Sequence, residues 1–139
     1  MTTTRPAPSP TLRQADRPKR RWPIRLYRLT VTTAAVLAFN QAVFAGQFLS
    51  GTYVALRMHR DMSNYTFAAV VAAVVAAILW RRAGSGPRWP IPACVALLAL
   101  TALQALLGYW LVLTVHIPLG VTVIVLLLAL TAAAWKPAR

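Results

Sequence analysis

The sequence predicts an all-α integral membrane protein, an up-down four-helix bundle with both termini in the cytoplasm. Three observations carry that reading. Hydrophobic residues make up 58% of the 139 and charged residues only 12%, against roughly 25% charged in an ordinary soluble domain. From Leu29 to Trp135 the only charged side chains are Arg57, Arg60, Asp61, Arg81, Arg82 and Arg88. The apolar stretches between them approach or exceed the roughly 20 residues that cross a bilayer core. Third, the basic residues are unevenly placed. Arg5, Arg13, Arg17, Lys19, Arg20, Arg21, Arg25 and Arg28 precede the first apolar run, Arg81, Arg82 and Arg88 fall in the middle break, and Lys136 and Arg139 follow the last run. Four crossings put these three groups on one side and only Arg57 and Arg60 on the other, the pattern of cytoplasmic segments.

The net charge of +13 is therefore explained by topology, and no nucleic-acid role is expected. The expected surroundings are a lipid bilayer, here the plasma membrane, with the basic residues close to anionic headgroups.

Residues 1–24 read as a basic, Pro-rich, disordered cytoplasmic tail. Pro6, Pro8, Pro10 and Pro18 break any helix, and the rest offers no apolar face to order it. The following run, Leu29 to Leu56, is much longer than the roughly 7–15 residue apolar region of a secretory signal. Residues 25–136 form the transmembrane domain, with helices expected at about 27–57, 59–81, 91–114 and 114–135. Trp22 and Tyr27 read as an interfacial anchor before helix 1. Its Asn40, Gln41 and Gln47 need partners inside lipid and should face the bundle, with Gly46 and Gly51 as close helix contacts. In helix 2, Ala68 to Ala77 is almost all Ala and Val, small enough for close backbone approach.

Arg82 to Pro90 reads as a turn from Gly84, Gly86, Pro87 and Pro90. Helix 3 carries Gln104 and Gly108 four residues apart, on one face. Tyr109 and Trp110 lie near its outer end. Helix 4 places Pro118 in its first turn, where a missing amide proton costs little. Cys94, the only cysteine, reads as a small buried hydrophobe. Short connections make neighbouring helices antiparallel, and the middle break divides the chain into two hairpins. Gln41/His59 and Gln104/His116 make a weak internal repeat of unequal spacing.

His59 and His116, the only histidines, then open helices 2 and 4 at the same outer depth. A helix N-terminus disfavours imidazolium and leaves the neutral ring that binds metals. Ser63 and Gly120 each follow a histidine by four residues, so a flat macrocycle could lie against that face. Two axial histidines are one way to hold heme iron, and Arg57 and Arg60 suit propionates. The alternative is that both histidines merely bond headgroups, loop carbonyls or water. Zinc lacks a third and fourth ligand. Met58 and Met62 offer sulfur to copper or iron, with helix-end packing as the other reading. Gln104, Gln41 and Gln47 read as interhelical glue or donors to a cofactor edge. With no Glu and only two Asp, a buried acid–base pair is excluded, and Ser50, Ser63 and Ser85 have no triad partners.

Particular segments also resemble those of a known family. These are His59-Arg60, Gln104-Ala105-Leu106-Leu107-Gly108, His116-Ile117-Pro118-Leu119-Gly120, and Gln41 with Leu49-Ser50-Gly51. Over Leu29 to Trp135 the chain resembles one half of heme A synthase and the small four-helix membrane proteins related to that half. The resemblance implies heme coordination by paired outer histidines, here His59 and His116. A half-length chain would hold one heme, and a homodimer would resemble the whole enzyme. The family's catalytic half carries a glutamate shortly before the helix 2 histidine, whereas Val54-Ala55-Leu56-Arg57-Met58 has no acid. The expected function is thus a b-type heme protein passing one electron between a quinol or membrane partner and an outer acceptor. Two alternatives stand beside it: a heme-free accessory subunit of a membrane complex, and a heme A synthase-like oxidoreductase.

Overall fold

A computed structural model describes residues 21–83 and 86–137. The tail expected to be disordered falls, up to residue 20, outside the described residues, as do Gly84 and Ser85 of the middle turn. The described chain is helical, with α1 Trp22–Leu49, α2 Val54–Ala83, α3 Pro90–Tyr109 and α4 Leu113–Trp135, and no strand among the described residues. All four helices are long and apolar enough to cross a membrane.

The helix limits differ from expectation for local reasons. α1 starts at Trp22 because Pro23 occupies its first turn, where no amide proton is needed. It ends at Leu49, not near residue 57, because Gly51 adopts φ 97°. The Gly51 amide donates to the Phe48 carbonyl at 3.0 Å and the Thr52 amide to the Gln47 carbonyl at 2.9 Å. This paired bonding around a left-handed residue is a Schellman stop. Gly51 is therefore a turn residue rather than a helix contact, and Gly46 is exposed with nothing near its Cα hydrogens. Gln47 is exposed too and does not face the bundle.

α3 ends at Tyr109 by the same device. The Leu111 amide donates to Gly108 at 3.3 Å and the Val112 amide to Leu107 at 2.9 Å, with Leu111 at φ 59°. α4 then starts at Leu113, so Pro118 lies inside the helix, as its sixth residue, rather than in its first turn.

α1 packs on α2 and α4, and α3 packs on α2 and α4, while the pairs α1/α3 and α2/α4 make no close backbone approach. The helices thus form a closed ring with α2 diagonal to α4. Its core holds Tyr27, Val31, Ala34, Ala35 and Ala38 of α1 against Val70, Ala73, Ala76 and Ala77 of α2, with Cys94 and Leu97 of α3 and Val123, Leu127, Leu130 and Ala134 of α4. Alanines on the α1/α2 seam let the helices approach closely, and in lipid van der Waals contact of this kind drives packing. Tyr27 is fully buried rather than interfacial, its ring stacked on Trp80 at 5.3 Å. Trp80 in turn covers Gly86, where a Cβ would stand 2.8 Å from the indole.

The core occupies one half of the ring. Towards the α1–α2 and α3–α4 turns, beyond the level of Ala38, Val70, Thr101 and Val123, only Ala55 and Thr66 are buried. Both histidines, themselves half-buried, lie in that less buried half.

Candidate functional site

His59 and His116 come together across the diagonal of the ring, with ring centres 6.2 Å apart and planes at 74°. Helix register explains their meeting. His59 is the sixth residue of α2, because α2 begins at Val54 rather than at the histidine. His116 is the fourth residue of α4, so the two histidines do not sit at equivalent positions of their helices.

The same kind of contact holds both rings. The His59 Nδ1 lies 2.9 Å from the carbonyl oxygen of Gln41, and the His116 Nδ1 lies 2.9 Å from that of Gln104. A carbonyl only accepts, so each Nδ1 carries a proton, and in the neutral ring Nε2 is then the nitrogen with the lone pair. A backbone acceptor on one imidazole nitrogen is the usual support for a ligand that binds through the other.

The two pairs are related by the turn geometry. Gln41 precedes Gly51 by ten residues and His59 follows it by eight; Gln104 precedes Leu111 by seven and His116 follows it by five. Each arm of the first hairpin is longer by three residues, about 4.5 Å of helix. Equal lengthening on both arms leaves the glutamine–histidine register intact, which accounts for the unequal spacing of the sequence repeat.

The remaining predicted residues divide into two groups. Gln104, Gly108 and Gly120 join the site, but as an interlock between α3 and α4. The Gln104 amide donates to the His116 carbonyl at 2.9 Å and lies 3.4 Å from His116 Nε2. Gly108 leaves room for the His116 ring, since a Cβ there would stand 2.8 Å from Cε1. Gly120 leaves room for Gln104, whose Nε2 would stand 2.7 Å from an added Cβ. Gly120 is thus covered by Gln104 and offers no open face to a macrocycle. Arg57 and Arg60 are exposed, and Ser63 turns its hydroxyl back to the Arg60 carbonyl at 2.7 Å. Met58 and Asp61 are also exposed.

Two features escaped the sequence reading. One is the role of the Gln41 and Gln104 carbonyls as imidazole acceptors, which no side-chain pattern reveals. The other is Thr66, buried and accepting from the Gln41 amide while donating to the Met62 carbonyl. That chain holds the α1 glutamine in place. The four-residue step from Met62 to Thr66 was its only sequence signal.

The donor set discriminates between metals. Among the described residues, no three His, Cys, Asp or Glu side chains gather in one place, so a tetrahedral zinc site has no basis. Two imidazoles suit an ion whose other positions are filled by a macrocycle. Their ring centres stand 6.2 Å apart, close enough for one ion to lie between them. The pair offers two imidazoles and no further ligand, and Gln104 covers Gly120 beside them. The Gln104 amide beside His116 Nε2 would have to move aside. No protein-family model, curated protein or solved structure matches the chain.

Proposed function

We propose that the chain is a b-type heme protein of the plasma membrane, an up-down bundle with cytoplasmic termini, in which His59 and His116 are the axial ligands. The observation that carries this reading is the paired arrangement of the two rings. Each is held on a diagonal helix by a glutamine carbonyl, with Nε2 left as the ligating atom and a spacing that suits one shared ion. Heme bound there supplies one-electron redox chemistry, with potential set by axial ligands, burial and nearby charge. The chain fixes tautomer and ring position through Gln41 and Gln104. Arg57 and Arg60 flank the site as propionate partners, a quinol or redox membrane protein is the electron donor or acceptor, and a homodimer is the assembly that would resemble a full-length heme A synthase. Oxidation of a heme substituent, as in that enzyme, has less support because no acid precedes His59.

The test is the visible spectrum of detergent-purified protein expressed with added heme. One Soret-absorbing heme per chain is expected, six-coordinate and low-spin. His59→Ala and His116→Ala should each abolish it or convert it to a high-spin form. Wild-type protein without stoichiometric Soret absorption would refute the proposal.

One observation favours a second reading, a heme-free accessory subunit. Gln104 satisfies both ring nitrogens of His116 inside the chain, so the imidazole also works as an interhelical strut. On that reading the histidine variants lower stability and no chromophore is lost.

A further inference from the structure

At the far end of the ring from the histidines, α1 and α4 enclose a cleft of about 300 Å³ lined by Arg25, Arg28, Leu29 and Trp135. Its walls are fixed by polar contacts. The Arg28 Nε donates to the Ala134 carbonyl at 2.9 Å, one of the terminal carbonyls that α4 leaves without a helical partner. The guanidinium lies over the Trp135 ring at 5.0 Å, a cation–π arrangement. The Trp135 indole donates to the Thr32 hydroxyl at 3.1 Å, and that hydroxyl donates to the Arg28 carbonyl at 2.7 Å. With Nε engaged, the guanidinium keeps its two terminal nitrogens, the pair that grips phosphate with two parallel bonds.

The charge at this end is not balanced within the described chain. Arg25 and Arg28 share it with Arg21, Arg81, Arg82, Arg88 and Lys136, while the only carboxylate side chain among the described residues is Asp61. Asp61 follows His59, which bonds Gln41, thirteen residues or about 20 Å along α1 from Arg28. The cleft thus presents positive charge with no carboxylate partner among the described residues. Leu29 and Trp135 are 62% and 53% exposed beside the two arginines. A ligand with an anionic head and an apolar tail matches both surfaces, as basic pockets between membrane helices do.

We propose that this cleft binds the phosphate group of one anionic phospholipid, with Arg28 as the fixed grip, Arg25 as the second cation, and Leu29 and Trp135 against the first part of an acyl chain. The site is independent of the histidine pair and of the heme reading.

The test uses the full chain in an uncharged detergent, with native mass spectrometry to count bound phosphatidylglycerol, phosphatidylcholine and inorganic phosphate. One phosphatidylglycerol should be retained per chain, with phosphatidylcholine bound at least about tenfold more weakly. Arg28→Gln should weaken phosphatidylglycerol binding by about tenfold, the loss expected for charge-assisted hydrogen bonds. Arg82→Gln, which removes the same charge at the same end, should change it by less than about twofold. Arg25→Gln leaves the bond to Ala134 intact and should also weaken binding, so it decides the matter if Arg28→Gln disturbs folding. Equal affinity for the two lipids, or equal losses at Arg25, Arg28 and Arg82, would overturn the site. Inorganic phosphate binding as tightly as the lipid would overturn its assignment to a lipid.

Discussion

Leu111 occupies in the α3–α4 turn the position that Gly51 occupies in the α1–α2 turn, the left-handed residue of a Schellman stop, at φ 59° against 97°. A side chain in that conformation costs roughly 1–2 kcal/mol, and Leu111 regains little of it by packing because it is 69% exposed. Gly51→Leu should therefore lower stability by about 1–2 kcal/mol. Leu111→Gly should be neutral or stabilising by under about 1 kcal/mol, because relief of strain is partly offset by the greater freedom of glycine in the unfolded chain. Thermal melts of the two variants in one detergent provide the comparison.

Gly108 and Gly120 differ in what they protect. The His116 ring beside Gly108 is rigid and held through Nδ1, whereas the Gln104 amide over Gly120 is the end of a flexible side chain. Gly108→Ala should cost about 1–3 kcal/mol, in the range of overpacking, and Gly120→Ala should cost less. In a Gln104→Ala background the Gly120→Ala penalty should vanish, while that of Gly108→Ala persists. A double-mutant cycle on melting free energies measures this directly. Equal penalties in both backgrounds would show that Gly120 does not act through Gln104.

Much of the fold and part of the site can be read from the residues alone, and the limits are instructive. The four apolar segments and the buried faces of the Ala/Val stretch are legible because lipid demands long uncharged helices and small residues at contacts. The end of α1 was missed because the apolar run continues past Gly51; hydropathy does not register a left-handed turn. Tyr27 looked interfacial by its position next to arginines, yet Trp80 buries it. Gln104 and Gly108, expected on a cofactor wall, meet His116 as an interlock between α3 and α4. The histidine tautomers were not legible, because the acceptors are backbone carbonyls of a neighbouring helix, set by three-dimensional register rather than by side-chain identity.

Tyr27 supplies a further prediction. Its ring is fully buried against Trp80, while its hydroxyl has only the Cys94 thiol beside it, a weak donor and acceptor, and no well-formed hydrogen bond among the described residues. A buried hydroxyl loses about 1–3 kcal/mol when it has no partner, and a thiol recovers only part of that. Tyr27→Phe keeps the stack and removes the hydroxyl, so stability should hold or rise. Tyr27→Ala removes the stack as well and should cost about 3–5 kcal/mol, as for other large aromatic truncations. A marked loss for Tyr27→Phe would mean that the hydroxyl is satisfied in the membrane.

Gln104 separates the two readings of the histidine pair. Its amide bonds the His116 carbonyl and lies against His116 Nε2, while its Oε1 is buried without a partner. Gln104→Ala removes one useful bond and one unsatisfied group, so the net stability loss should be small, about 1 kcal/mol. If His116 ligates heme, the same change uncovers its Nε2, and heme content or affinity should rise several-fold even as the heme-free protein melts earlier. If the histidines are struts alone, the melting point falls and the Soret region stays flat in wild type and variant alike. Absorbance and melting are read from the same sample, so a stability effect cannot be mistaken for a ligation effect. Heme affinity falling in parallel with stability would show that Gln104 supports the ligand rather than competing for it.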